Sequence, residues 1–219
     1  MKIRLISTVM LSLFSTNSFA LSSNDLLAFT AGVPTYDQFD NYTGVTGSYY
    51  GWDYTDDGAV TLSEQTVLAP GSSNGLLLGA TMNNGELNAG SSYLGYETFF
   101  SLPDTPVSIL SDDGAGVFEL DFSGLNWFFN GNDISMGGNS ALGDTGIATL
   151  TCSSTACING DTYTLSYQTH GSSPLIGFDG VFFAMEMTGT VSSIPVPAAA
   201  WLFVSGLVGL FGLSRRKSA

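Results

Sequence analysis

The stretch Val117-Phe118-Glu119-Leu120-Asp121-Phe122 alternates apolar and acidic side chains, and Tyr163-Thr164-Leu165-Ser166-Tyr167 alternates apolar with hydroxyl side chains. A period of two places successive side chains on opposite faces of a strand, so both stretches predict half-buried β-strands. No segment of the body shows a sustained helical period. The same kind of pattern predicts nine strands in all: Ser48–Tyr54, Ala59–Leu68, Gly75–Met82, Tyr93–Phe100, Gly116–Phe122, Leu125–Asn130, Gly146–Cys152, Thr162–Gln168 and Val181–Val191.

Turn dipeptides separate these strands, among them Asp57-Gly58, Asn84-Gly85, Asp113-Gly114 and Asn159-Gly160. Such pairs supply the positive φ angles that tight hairpin turns require. Many short strands with frequent turns predict an all-β fold, a single antiparallel β-sandwich or jelly-roll-like domain over residues 21–191.

Charge is distributed very unevenly along the 219 residues. The five basic residues stand at positions 2, 4 and 215–217, and all 19 acidic residues lie between Asp25 and Glu186. The body therefore contains no lysine or arginine. Nucleic acids and anionic membrane surfaces are bound through basic side chains, so we expect no nucleic-acid partner.

Two cysteines, Cys152 and Cys157, lie close together near the Asn159-Gly160 turn. In an oxidising compartment they are expected to form a disulfide near the loop of a hairpin spanning 146–168. A zinc site is the alternative, but His170 is the only histidine that could complete it.

A calcium site is the sharpest candidate for ligand chemistry. Asp53, Thr55, Asp57 and Glu64 stand at positions 1, 3, 5 and 12 of a twelve-residue stretch with Gly58 at position 6. This is the oxygen-ligand spacing of a calcium loop. Glycines precede the stretch and a β-type sequence follows it, so the competing interpretation is a hairpin turn at residues 56–58. Calcium is accordingly the one cofactor considered.

Exposed aromatic rings are a second candidate site, because such rings can stack on sugars. Tyr50, Trp52 and Trp127 are the preferred residues for a glycan-binding face; the alternative places them in the core. A hydrolase is a rival interpretation. It rests on Gly71-Ser72-Ser73-Asn74-Gly75, on His170 and on acid pairs such as Asp112-Asp113. The helix that should follow a nucleophile serine is not predicted, so we expect no catalytic residues and no enzymatic activity.

Both ends of the chain carry targeting features. Residues 1–20 combine a basic start, an apolar stretch and a Ser18-Phe19-Ala20 cleavage pattern, which predicts a secretory signal peptide. Residues 192–219 begin with an extended spacer, followed by an uncharged 17-residue span at 198–214 and a basic cluster. That span reaches about 25 Å as a helix, enough for a short transmembrane anchor.

The C-terminal residues resemble the PEP-CTERM sorting signal and its VPLPA-CTERM variant. The sorting motif is Pro195, Val196 and Pro197, with Val196 where the namesake motif has glutamate. The matching anchor includes Ala198, Trp201, Leu202, Phe203 and Leu213, and the basic stop is Arg215, Arg216 and Lys217.

The resemblance implies export from a Gram-negative cell and anchoring on the periplasmic side of the inner membrane. It also implies processing by an exosortase and placement at the cell surface or in an extracellular polysaccharide matrix. We therefore expect a structural, adhesive or glycan-binding protein of the biofilm matrix. A secreted polysaccharide hydrolase and a calcium-dependent adhesion module are the alternatives.

Overall fold

A computed structural model describes residues 20–93, 96–102, 104–173 and 177–193, without the side chains of 83–86, 88–93, 96 and 97. In these ranges the chain is built from antiparallel β-strands with only two short 3-10 turns, which confirms the all-β prediction. The strands are β1 Asp25–Phe29, β2 Val33–Tyr36, β3 Tyr42–Thr46, β4 Tyr49–Trp52, β5 Gln65–Val67, β6 Gly75–Leu77, β7 Met82–Tyr93, β8 Tyr96–Leu102, β9 Ser108–Asp112, β10 Val117–Asp121, β11 Asn126–Phe129, β12 Asn132–Ser135, β13 Ile147–Cys152, β14 Thr162–His170 and β15 Phe182–Ser193.

The larger sheet has the strand order β5-β4-β15-β14-β13-β10-β9. Its central strand β15 is long enough to hold two partners on one edge. Residues 183–186 pair with β4, and residues 189–193 pair with β1, which in turn pairs with β6. The other edge of β15 pairs with β14 over nine residues, from Thr162 opposite Thr190 to His170 opposite Phe182.

A smaller sheet has the order β12-β11-β8-β7, and β2 with β3 forms a separate two-stranded hairpin. Aromatic side chains join the two larger sheets. The ring centroids of Trp52 and Trp127 are 4.9 Å apart, and those of Tyr50 and Phe100 are 5.3 Å apart. Because Tyr50 and Trp52 lie on β4 while the other two lie on the smaller sheet, these contacts place the hydrophobic core between the sheets.

Strand alternation explains which residues enter this core. In β14 the side chains of Tyr163, Leu165 and Tyr167 are buried, whereas Thr162 and Ser166 are exposed. The predicted hairpin over 146–168 is confirmed: β13 pairs with β14, with Leu150 opposite Leu165. The period of two in the sequence is therefore sufficient to orient this part of the sheet.

Several predicted boundaries are wrong. The strand predicted at Ala59–Leu68 is instead a loop, a 3-10 turn at Leu62–Glu64 and the short β5. Strands β1, β2, β3, β9 and β12 were not predicted, because their sequences are short or interrupted by glycine and proline. Strand β7 was not predicted either, because Asn84-Gly85, which lies within it, was interpreted as a turn. Strand β15 extends to Ser193, two residues beyond the end of the strand predicted at Val181–Val191.

The residues of both targeting features lie outside the described part of the chain, apart from Ala20, Ser192 and Ser193. This holds for the signal peptide at 1–19, the motif Pro195, Val196 and Pro197, the anchor at 198–214 and the stop Arg215, Arg216 and Lys217. Among the described residues no helix is long and apolar enough to span a bilayer.

Candidate functional site

The aromatic residues proposed as a glycan-binding face are buried. Tyr50, Trp52 and Trp127 each have 0% of their surface exposed. Their rings pack on one another and on Phe183 between the two sheets. They cannot offer a stacking surface to a sugar, so the structure corrects this prediction in favour of a core role.

Other apolar side chains are exposed, chiefly on the β2–β3 hairpin. Val33, Tyr36 and Phe39 are 62%, 56% and 74% exposed. Tyr36 makes an edge-to-face contact with Tyr42, whose hydroxyl donates a hydrogen bond to the Gln65 carbonyl oxygen at 2.5 Å. The hairpin is thereby held against the body with apolar side chains outward. This hairpin was not predicted because its strands show no clear alternation of apolar and polar residues.

The predicted calcium loop is folded around its own carboxylates. Asp53, only 6% exposed, accepts hydrogen bonds from the Gly58 N–H at 2.7 Å, the Asp57 N–H at 3.3 Å and the Thr55 hydroxyl at 3.2 Å. Desolvation acts to raise the pKa of Asp53, but these donors together hold that pKa below its ordinary value.

Glu64 closes the other side of the loop. Its carboxylate accepts the N–H groups of Tyr54 at 2.8 Å, Thr55 at 3.0 Å and Thr61 at 2.8 Å, and also the Thr61 hydroxyl at 2.7 Å. Desolvation opposes ionisation of Glu64, yet the four donors lower its pKa. Together with Thr61 it forms a capping box at the 3-10 turn.

The loop therefore has the contacts of a self-capped turn. Asp53 and Glu64 face backbone donors, and Asp57 Oδ1 accepts the Ala59 N–H at 3.0 Å. Within the described ranges no three His, Cys, Asp or Glu side chains are grouped as metal ligands would be. The calcium prediction for Asp53, Thr55, Asp57 and Glu64 gains no geometric support from this arrangement.

Acidification is expected to weaken this loop. A carboxylate whose pKa is lower in the folded protein contributes stability above its unfolded pKa, and this contribution is lost as pH falls through the folded pKa. Asp53 and Glu64 start from ordinary values of 3.8 and 4.5, so the loss should begin below about pH 5. Glu64→Gln should lower stability at neutral pH by about 1–2 kcal/mol and flatten the decline in acid, as measured by denaturant unfolding at several pH values.

Glu186→Gln is the matched control for this prediction. Burial raises the pKa of Glu186, which is the opposite sign. A raised carboxyl pKa costs stability above the unfolded pKa, so its removal should stabilise the protein at neutral pH and steepen the acid decline. If both variants gave the same pH profile, the loop would not hold an ionised Glu64.

The connection between β13 and β14, which contains the disulfide, ties down both ends of the described body. The Cys152–Cys157 disulfide is present, with Cα atoms 5.4 Å apart, as predicted. The Ala156 carbonyl oxygen accepts the N–H of Leu21 at 3.3 Å, and Leu21 is buried. Asn159 Oδ1 accepts the N–H of Ser193 at 2.9 Å. Leu21 and Ser193 therefore lie at one pole of the larger sheet.

An open groove of about 650 Å³ lies across β13, β14 and β15 near this pole. Threonine and serine side chains dominate its lining, and none of the lining residues is charged. We call it the hydroxyl groove. Its lining consists of Thr30, Thr151, Cys152, Ser153, Thr162, Tyr163, Thr164, Thr188, Gly189 and Thr190.

Strand register brings these hydroxyl side chains together. Thr164 on β14 lies opposite Thr151 on β13 and opposite Thr188 on β15, and Thr162 lies opposite Thr190. Neighbouring strands are about 4.8 Å apart and alternate residues of one strand about 6.8 Å apart. The threonines thus form a two-dimensional array on the face of the larger sheet that points away from the core.

The fold of the described residues does not use the threonine hydroxyls of this array. Among the described residues, no side-chain hydrogen bond is made by the hydroxyls of Thr151, Thr162, Thr164, Thr188 and Thr190. The Ser153 hydroxyl accepts the Thr162 N–H at 3.1 Å. Every threonine also presents a methyl group, so the surface offers alternating donors, acceptors and small apolar contacts.

His170 has one feature of a catalytic base. Its Nδ1 lies 3.0 Å from Asp144 Oδ2, which also accepts the His170 N–H at 2.7 Å. Such a carboxylate can orient an imidazole. In the described part of the chain, however, no serine or cysteine side chain is hydrogen bonded to this ring. Residues Gly71–Ser73 form a 3-10 turn that leads into a strand, not the helix required after a nucleophile serine.

No protein-family model matches this chain, and no curated protein or solved structure is significantly similar to it. The site must therefore be interpreted from its own geometry and from the sequence.

Proposed function

We propose that this chain is an exported protein that a C-terminal sorting signal first holds in the inner membrane and an exosortase-type enzyme then releases to the cell surface or the extracellular polysaccharide matrix. Its body is a single β-sandwich with a structural or adhesive role and no enzymatic activity. The targeting residues at both ends of the sequence support the route. The resemblance of residues 194–217 to the PEP-CTERM signal supports the processing step.

One observation on the folded body carries this proposal. Strand β15 ends at Ser193, opposite Asp25 of β1, so the chain leaves the sheet at the same pole at which it enters. The connection between β13 and β14 fastens this pole, through Ala156 to Leu21 and through Asn159 to Ser193. A body attached through residues after 193 would be held by this pole, with the rest of both sheets directed away from the attachment.

The absence of lysine and arginine between Leu21 and Ile194 also suits an extracellular matrix. Nineteen carboxylates without basic partners repel one another and repel anionic surfaces, which favours solubility after release. Divalent cations can bridge such carboxylates to acidic polymers. We therefore propose calcium only as such a bridging ion between surface carboxylates, and not as the ligand of a dedicated site.

Intact-mass measurement on fractionated cells tests the proposed route. We expect a membrane form that begins at Leu21 and retains Arg215, Arg216 and Lys217, and a surface or medium form that ends near Pro197. Pro195→Ala with Pro197→Ala should retain the membrane form and deplete the released form several-fold. Replacing Arg215 alone with lysine preserves the charge and should leave both forms unchanged. Recovery of the basic cluster in the released form would contradict the proposal.

A further inference from the structure

We infer that the hydroxyl groove binds a neutral polysaccharide chain lying across β13, β14 and β15. The inference rests on the proposed function only for the source of the polymer, the surrounding matrix. It assigns glycan contact to threonine side chains on the outer face of the larger sheet, in place of the buried aromatic residues.

Hydrogen-bonding chemistry selects a polyhydroxyl ligand. A sugar hydroxyl both donates and accepts hydrogen bonds, and so does a threonine hydroxyl. Either group can therefore be the donor when the two meet. The row Thr151, Thr164, Thr188 runs across three neighbouring strands, and Thr162 with Thr190 begins a second row. A chain laid across the strands can therefore meet several hydroxyls in succession, while threonine methyls contact its C–H groups.

Charge selects a neutral polymer over an acidic one. No lining residue of the groove is charged, and the sequence from Leu21 to Ser193 contains no lysine or arginine that could pair with a uronate. Carboxylates border the array instead: Glu186 lies opposite Ser166 on the next row of β14, and Glu119 lies opposite Thr149. A carboxylated polymer would be repelled by these two side chains.

The platform is already ordered before binding. Strand β14 is hydrogen bonded to β13 on one edge and to β15 on the other, and the Cys152–Cys157 disulfide closes the loop that contains Ser153. Buried Leu150, Leu165 and Met187 hold the opposite face of the same strands. Few side chains therefore lose conformational entropy on binding. This small entropic cost favours a ligand that is held mainly by individually weak hydrogen bonds.

Affinity electrophoresis of the full folded body through gels containing polysaccharide tests the inference. The neutral probes are hydroxyethyl cellulose, dextran and galactomannan; polygalacturonate is the acidic probe. We expect retardation by at least one neutral polymer and none by polygalacturonate in calcium-free buffer. Thr164→Val with Thr188→Val removes two cross-strand hydroxyls at nearly constant size and should weaken that retardation about tenfold.

Thr46→Val with Thr145→Val is the matched control, since both threonines are exposed and lie outside the groove. It should migrate like the parent protein, and circular dichroism should show both double variants to be folded. Retardation by no neutral polymer, or unchanged retardation of the groove variant, would overturn the inference. Concentration-dependent self-association lost in the groove variant would also overturn it, by assigning the groove to a second copy. None of these results depends on where the protein is located in the cell.

Discussion

Trp52→Ala is expected to destabilise the protein by about 3–5 kcal/mol, because it removes the largest class of side chain from a fully enclosed site. The Trp52 ring is 0% exposed, and its centroid lies 4.9 Å from that of Trp127 and 5.1 Å from that of Phe178. Truncation would leave a cavity at the junction of the two sheets. The free energy of unfolding of a domain is only about 5–15 kcal/mol, so this loss should be readily measured by denaturant or thermal unfolding.

Tyr54→Ala is the matched control, an aromatic side chain two residues away that is 48% exposed. We expect it to change the free energy of unfolding by less than about 1 kcal/mol. The comparison also separates the two interpretations of Trp52. A sugar-stacking role requires that the Trp52→Ala variant keep its stability and lose glycan binding; that outcome would overturn the core assignment.

Gly189→Ala should disrupt the pairing of β1 with β15 and lower the free energy of unfolding by about 3 kcal/mol. A Cβ atom on Gly189 would lie 2.0 Å from the Ala28 carbonyl oxygen and 2.7 Å from the Phe29 Cα. Both contacts are with backbone that is held on its other edge by β6. The strand cannot yield without breaking its ladder, so hydrogen exchange should show lost protection in 25–29 and 187–193 together with a lower melting temperature.

Thr190→Ala, at the next position and on the exposed face, provides the comparison for Gly189→Ala. Any general loss of β-propensity on β15 would affect both variants, whereas the steric clash exists only at Gly189. Equal protection of β1 in the two variants would show that the close approach of Gly189 to Ala28 does not hold these strands together.

The strand pattern of the sequence is most informative where one face of a strand is exposed. Strand β14 was predicted because Thr164 and Ser166 alternate with Leu165 and Tyr167. Its hairpin with β13 was predicted from the Asn159-Gly160 turn signal, and that pairing is confirmed. Strand β1 was missed because its half-buried positions hold Leu26 and Ala28, so the segment Asp25–Phe29 carries no polar alternation. In such a strand, neighbours in space and not the local sequence determine the conformation.

The site was less predictable for a related reason. The spacing of Tyr50 and Trp52 places both rings on one face of β4, but a single strand does not reveal which of its faces is covered. The hydroxyl groove combines residues from positions 151, 164 and 188, which only the register of three strands brings together. Its sequence signal was the repeated threonine at alternate positions of three separate strands, a pattern that is also typical of any exposed sheet face.

The arrangement of β15 has a mechanical consequence. In the tethered protein proposed above, drag on the body is transmitted through the residues that follow Ser193, which is the last residue of β15. A tension along a strand axis loads the hydrogen bonds of its ladders in parallel, whereas a tension across the axis opens them one by one. Strand β15 is paired on both edges, with β14 on one side and with β4 and β1 on the other. Tension along the axis of β15 is therefore shared among the rungs of the three ladders that this strand forms at the centre of the larger sheet.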